Sequence, residues 1–297
     1  MSNGWDVQLE PAVLLPHRRA NVSATYTPAR DHDARRVVLV LRCVERWVYS
    51  RDETRTNADG HASVHRVTRT DSRELHRSEV ELAGEMRFVR GQPQRWTAEV
   101  EVPPLGPATF EGSVLRCDWT LEIKVDVARA MDERWGQPVH VAQPMALLRA
   151  GVVDIGQYGL YEVAPVNLDA LPAQVSLEPV PIDLTQPFSG RFTVETDRPI
   201  EVQEVRVELR VRVQVTVPGG HQEEITVARA RLADSSTPFG GALAQHDFTA
   251  DAPGAWLPAI DLPHGQARGI LHVILARPMA PDIHYQRDVA LATTSDL

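Results

Sequence analysis

Histidine and aspartate are the residues of this 297-residue chain best suited to chemistry, and their spacing decides what they could do. His61 and His65 stand four apart, which on a helix would aim two imidazoles one way and could start a zinc site. The turn and strand signals around them send that spacing along a strand or loop instead, so they read as solvated surface. His284, close to Asp282 and Asp288, reads the same way. His272 lies inside the apolar run Ile270–Leu275 and reads as an outward-facing strand residue. Asp126 and Asp132 could form an acid and base pair, yet both fall where a strand ends, a position where aspartate bonds nearby backbone amides. There is no Gly-x-Ser-x-Gly elbow, phosphate loop, dinucleotide fingerprint or His-Glu-x-x-His. The expectation is a protein that is not an enzyme, with no catalytic, cofactor or metal site. One candidate binding feature remains: His17, Arg18 and Arg19 follow Pro16 as a basic knob that could receive an anionic peptide or phosphate, or be ordinary surface.

Other reactive or bulky residues read as structural. Cys43 and Cys117 are too few for a disulfide framework and show no metal spacing, so both are expected as reduced core residues. Trp96, Trp119 and Trp256 read as core anchors, whereas Trp5 and Trp135, near an end and in a turn, read as exposed contact residues.

The elements that position these residues are strands. Leu115, Cys117, Trp119, Leu121, Ile123, Val125 and Val127 alternate with polar partners, which at period two means one buried and one wet face. Val205 to Val217 repeats that alternation, and no segment keeps an apolar stripe at helical spacing with a cap and a stop. Glycine and proline punctuate the chain, as at Asp59-Gly60 and Pro218-Gly219-Gly220. Many short strands with regular turns predict an all-β chain of packed sandwiches. The polar stretch Ser50 to Arg77 predicts a long exposed hairpin or loop.

Charge and composition exclude several classes. The net charge is −9, which lacks the basic surplus that coating nucleic acid requires. No apolar run approaches the ~20 residues that cross a bilayer. The start shows no basic and apolar leader, so the expected location is cytoplasmic. Residues 1 to 150 are net neutral and the excess lies wholly in residues 151 to 297, pointing to two units with different surfaces. Lys124 is the single lysine, an arginine bias that reflects base composition.

Val7-Gln8-Leu9-Glu10-Pro11 recurs as Val175-Ser176-Leu177-Glu178-Pro179, at an offset of 168, and Val125–Val141 lies on Leu275–Leu291 at an offset of 150. A repeat this long predicts two tandem domains and not a solenoid, with 18 extra residues in the first copy, most naturally within 50–77. The boundaries follow: residues 1–145, a connection at 146–172, and residues 173–297.

Trp96 to Pro103, then Gly106-Pro107-Ala108-Thr109-Phe110-Glu111-Gly112, then the strand with Trp119, resemble the arrestin fold in their order. Val125 to Asp132 with Pro138-Val139-His140-Val141 resembles bacterial arrestin-like proteins of the sporulation-control type. The resemblance covers the chain as architecture and residues 96–141 as motif. It implies two tandem arrestin-like (immunoglobulin-like) β-sandwich domains and a non-enzymatic adaptor for a protein partner or tail peptide, in sporulation or stress regulation. The phosphate-sensing side chains of eukaryotic arrestins have no residue-by-residue match here and are not carried over. The alternatives are a small-ligand or carbohydrate-binding sandwich, which 6% aromatic content disfavours, or a structural subunit of a larger assembly.

Overall fold

Backbone donors and acceptors must be paired, and a chain whose apolar residues recur at period two pairs them in sheets. A computed structural model of the protein describes residues 4–56, 62–128, 130–143, 161–162, 164–165, 173–178, 181–195, 201–234, 239 and 244–293. Among these residues the structure is all-β, without a helix, so no helix is long and apolar enough to cross a membrane. Asp59-Gly60, His61 and most of 146–172 lie outside the described residues.

The first copy of the repeat contains β1 (Trp5–Glu10), β2 (Val13–Leu14), β3 (Arg19–Tyr26), β4 (His32–Thr56), β5 (Ala62–Ala83), β6 (Met86–Phe88), β7 (Gln94–Glu101), β8 (Phe110–Glu111), β9 (Leu115–Val127) and β10 (Glu133–Val141). They form a sheet ordered β1-β3-β7 and a larger one ordered β2-β10-β9-β4-β5, with β6 on β4 and β8 on β9. The apolar faces of the two sheets meet in a sandwich-like core. Tyr26 on β3 and Trp96 on β7 reach Phe88 on β6 edge-on, at ring distances of 5.2 and 6.2 Å. Every apolar residue of the β9 alternation is buried, and Trp119 also donates its indole N–H to the Pro107 carbonyl at 2.9 Å. Trp5, expected at the surface, is instead 6% exposed. It sits directly opposite Tyr26 and stacks on it at 4.4 Å, a cross-strand aromatic pair that buries both rings.

The second copy contains β11 (Tyr161–Glu162), β12 (Ala164–Pro165), β13 (Ala173–Glu178), β14 (Ile182–Asp183), β15 (Phe188–Val194), β16 (Glu204–Val215), β17 (Gln222–Asp234), β18 (Ala244–Ala250), β19 (Ile260–Leu262), β20 (Gly265–Ala276), β21 (Ile283–Val289) and β22 (Leu291–Ala292). Its sheets run β11-β13-β15-β18 and β12-β21-β20-β16-β17, with β19 on β20 and β14 beside β22.

The two copies share their pairing register. Val7 opposite Ala24 becomes Val175 opposite Phe192, at an offset of 168. Ala24 opposite Trp96 becomes Phe192 opposite His246. Trp119 opposite Val139 becomes Gly269 opposite Val289, at an offset of 150. Even the short parallel contact of Leu14 with Val141 recurs as Ile182 with Leu291. The offset changes between β3 and β7, and the cause is the hairpin: β4 and β5 have 25 and 22 residues where β16 and β17 have 12 and 13. Along β5, residues 62–74 are exposed at every position except Val67.

By proximity the chain forms two compact units, residues 1–47, 70–109 and 116–142, and residues 48–69, 110–115 and 143–297. The outer part of the long hairpin thus belongs to the second unit. There the Ser50 N–H donates to the Gly219 carbonyl at 2.8 Å. Gly219 has φ +71, and a Cβ on it would stand 2.0 Å from the Ser50 oxygen, so only glycine fits.

Candidate functional site

The basic knob sits in the turn into β3, and His17, Arg18 and Arg19 are all exposed. His17 has φ 65, and its N–H donates to the Val102 carbonyl at 3.1 Å. Arg19 lies opposite Glu101 on β7 and pairs with Glu99 at 2.9 Å and Glu101 at 3.6 Å. Its charge is therefore met on the neighbouring strand, in exposed pairs that contribute little to stability.

The other candidates separate in the same way. His65 is exposed and bonds Ser63 at 2.8 Å. His272 and His284 do meet, ring nitrogens 3.1 Å apart on adjacent strands β20 and β21. Burial first, then the positive charges of Arg210 and His284, push His272 down to about 4. No third ligand joins them: among the described residues there is no group of three metal-binding side chains. Asp126 lies within β9 and pairs with Arg35 at 3.6 Å, in place of the expected backbone amides. Asp132 is exposed. Aspartate does cap local amides elsewhere, as where Asp183 accepts from the Thr185 N–H at 2.8 Å. Cys43 and Cys117 are buried thiols whose sulfurs approach to 3.3 Å; their mutual hydrogen bond and burial push the Cys117 thiol up.

Polar chemistry on the outer face of the second large sheet is closed on itself. Glu208 is only 6% exposed and accepts from Arg206 and Arg210, each at 2.8 Å. Burial alone would raise its pKa, but those two hydrogen bonds outweigh it and hold the carboxyl below its ordinary value. Arg210 also pairs with Glu224 at 2.8 Å, and Glu204 takes Arg206 at 3.0 Å and Arg229 at 2.8 Å.

The matching face of the first copy is unfinished, and it carries the feature that the residue types alone did not single out. Strands β9 and β10 place Arg116, Asp118, Glu122, Arg134 and Gly136 around an open groove of about 510 Å³, with Arg46 contributed by β4 and Trp135 at its side. Gly136 makes the depression. It faces Glu122 across the strands, and a Cβ built on it would meet nothing nearer than 3.5 Å, so no clash demands glycine here. Asp118 serves both Arg46, at 2.9 Å, and Arg116, at 3.3 Å. Glu122 serves both Arg42, at 2.9 Å, and Lys124, at 3.4 Å. Arg134 lies directly opposite Lys124 and has no ion-pair partner among the described residues. A like-charge pair across a ladder is unfavourable, and the local balance is positive.

Sheet edges differ as well. Among the described residues β10 has β9 on one side, and on the other only β2, which touches it at His140 and Val141. Among the described residues no strand pairs with the edge along 133–138. Glycine and proline inside a strand, Gly136 and Pro138, are the sequence signal for an edge and a close backbone approach. A scan against protein-family models finds no match for this chain, and a search of the curated proteins finds none either.

Proposed function

We propose that the protein is a non-enzymatic adaptor made of two tandem arrestin-like β-sandwich domains, which holds a protein partner or a tail peptide in the cytoplasm. The observation that carries this reading is the open β10 edge lying beside a groove with surplus positive charge. Added strands bind through main-chain hydrogen bonds, and flanking side chains select among them. The repeated register supports the tandem-domain part, because the same strand pairings recur at matched positions in both copies. His17 and Arg18, exposed in the turn before β3, offer a second contact for an anionic partner.

The single lysine makes the test specific. Lys124 lies directly opposite Arg134, so an amine crosslink mapped to Lys124 reports on the strand pair beside the groove. Crosslinking in the native cell at native expression, read by mass spectrometry, is expected to join Lys124 to a different protein in a reproducible stoichiometry. Crosslinks confined to this chain or its own copies would overturn the reading.

A further inference from the structure

We infer that the Trp135–Gly136 edge of β10 accepts, as an added antiparallel strand, an extended tail segment of a partner protein that places an acidic residue opposite Arg134. The inference rests on the adaptor reading and specifies its site and its ligand.

The chain contains its own example of the complex. In the second copy the backbone of β12 lies antiparallel to β21, with Ala164 opposite Gln286 and Pro165 opposite Tyr285. At the offset of 150, Gln286 and Tyr285 correspond to Gly136 and Trp135, and the pairs β20–β21 and β9–β10 share their register. One strand edge therefore exists twice in the molecule, covered once and open once among the described residues. The open one borders the groove, where Gly136 has no side chain of its own and a Cβ there would meet Glu122 Cγ no nearer than 3.5 Å.

Charge identifies the occupant. Glu122 is shared by Arg42 and Lys124, so Arg134, opposite Lys124, has a cation across from it and, among the described residues, no ion-paired carboxylate. A carboxylate delivered on the incoming strand supplies the missing counter-charge to an exposed cation, which adds selectivity more than affinity. A strand added to β10 in the register that β12 takes on β21 would have its third residue, the one after those opposite Gly136 and Trp135, opposite Arg134. In this chain's sequence the residue after Pro165 is Val166, which has no charge to offer Arg134, whereas a tail with Asp or Glu at that place does. Pro138 has no N–H and limits the addition to residues 133–137.

The test uses the full chain and two synthetic peptides reproducing residues 159–168, one with Glu and one with Arg in place of Val166. Binding is measured by fluorescence polarisation and located by amide hydrogen exchange, with Arg134→Glu as the variant and its melting temperature as a folding control. We expect the Glu peptide to protect amides within 133–137, to bind about tenfold more tightly than the Arg peptide, and to lose that advantage to the Arg peptide in Arg134→Glu. Absence of protection in 133–137, or a preference unchanged by Arg134→Glu, overturns the inference. If Lys124 crosslinks to a partner in the cell while neither peptide protects β10, this site assignment fails and the adaptor reading stands. If no partner crosslinks, the adaptor reading fails whatever the peptides do.

Discussion

In the second copy β12 lies along β21, and Arg206, Arg210, Arg212 and Arg229 each reach a carboxylate. In the first copy the corresponding edge along Trp135 and Gly136 is open among the described residues, and Arg134 faces Lys124. The strand registers beneath these surfaces are the same. A shared backbone plan therefore does not carry a shared role. What differs is how each copy treats the liabilities that the plan creates, namely exposed edge hydrogen bonds and unpaired charge. A stable surface covers both, and a binding surface keeps them for a partner.

The largest effect that could break this comparison lies in the core, at one matched position. Trp119 is 1% exposed, whereas its counterpart Gly269 has no side chain and a Cβ there would stand 2.5 Å from Leu291 Cγ. Trp119→Ala is expected to cost about 3–5 kcal/mol and Gly269→Val about 1–3 kcal/mol, both read from urea unfolding. A neutral result at either site would mean that the two cores are less specifically packed than their matched registers imply.

Charge comes next. Glu208→Ala would leave Arg206 and Arg210 without their shared buried carboxylate and should cost about 1–3 kcal/mol. Arg134→Ala removes a cation facing a cation and should stay within about 0.5 kcal/mol of the parent, in the same measurement. Equal costs would erase the distinction between a closed and an unfinished surface.

Acid stability sharpens the contrast further. His272 has a folded pKa near 4 against an ordinary 6.5, so between these values the unfolded chain binds the proton and the folded chain does not. Stability from this group is complete above about pH 6.5 and declines as pH falls towards 4. Glu208 and Glu224 are held below their ordinary 4.5, so their contribution is lost only as pH falls beneath that value. His272→Gln should flatten the first decline and leave the second, in melting temperatures recorded from pH 7 to about 3.5. In the first copy burial also lowers His76, and His76→Gln is the matched control.

The smallest effect is one of rate. Cys43 and Cys117 both lie in the first copy and are 0% exposed, so an alkylating reagent should label them in the native protein only as fast as that copy opens. Rapid labelling without denaturant would show the first copy to be loosely packed.

Much of this architecture is legible in local pattern. The alternation of Leu115 to Val127 and the recurrence of Val7 to Pro11 are short-range signals, and each corresponds to a strand with the expected buried face or register. The 18-residue difference between the offsets also falls where polar composition places it, in the long hairpin. Features made by distant residues are not legible in this way. Trp5 looks exposed because it stands near an end, and only its pairing with Tyr26 reveals otherwise. Strands of two residues, such as β11 and β12, have no period to detect, so their Pro- and Gly-rich surroundings read as a simple connection. The groove is the intermediate case. Gly136 and Pro138 are visible signals of an edge, but the isolation of Arg134 depends on how Arg42, Lys124 and Glu122 assort across three strands.

One strand edge is covered in the second copy and, among the described residues, open in the first, and amide hydrogen exchange on the unliganded full chain measures this directly. We expect the outward-facing amides among residues 284–287 to exchange slowly and those among residues 134–137 to exchange at least about tenfold faster. Equal protection along the two segments would contradict the claim.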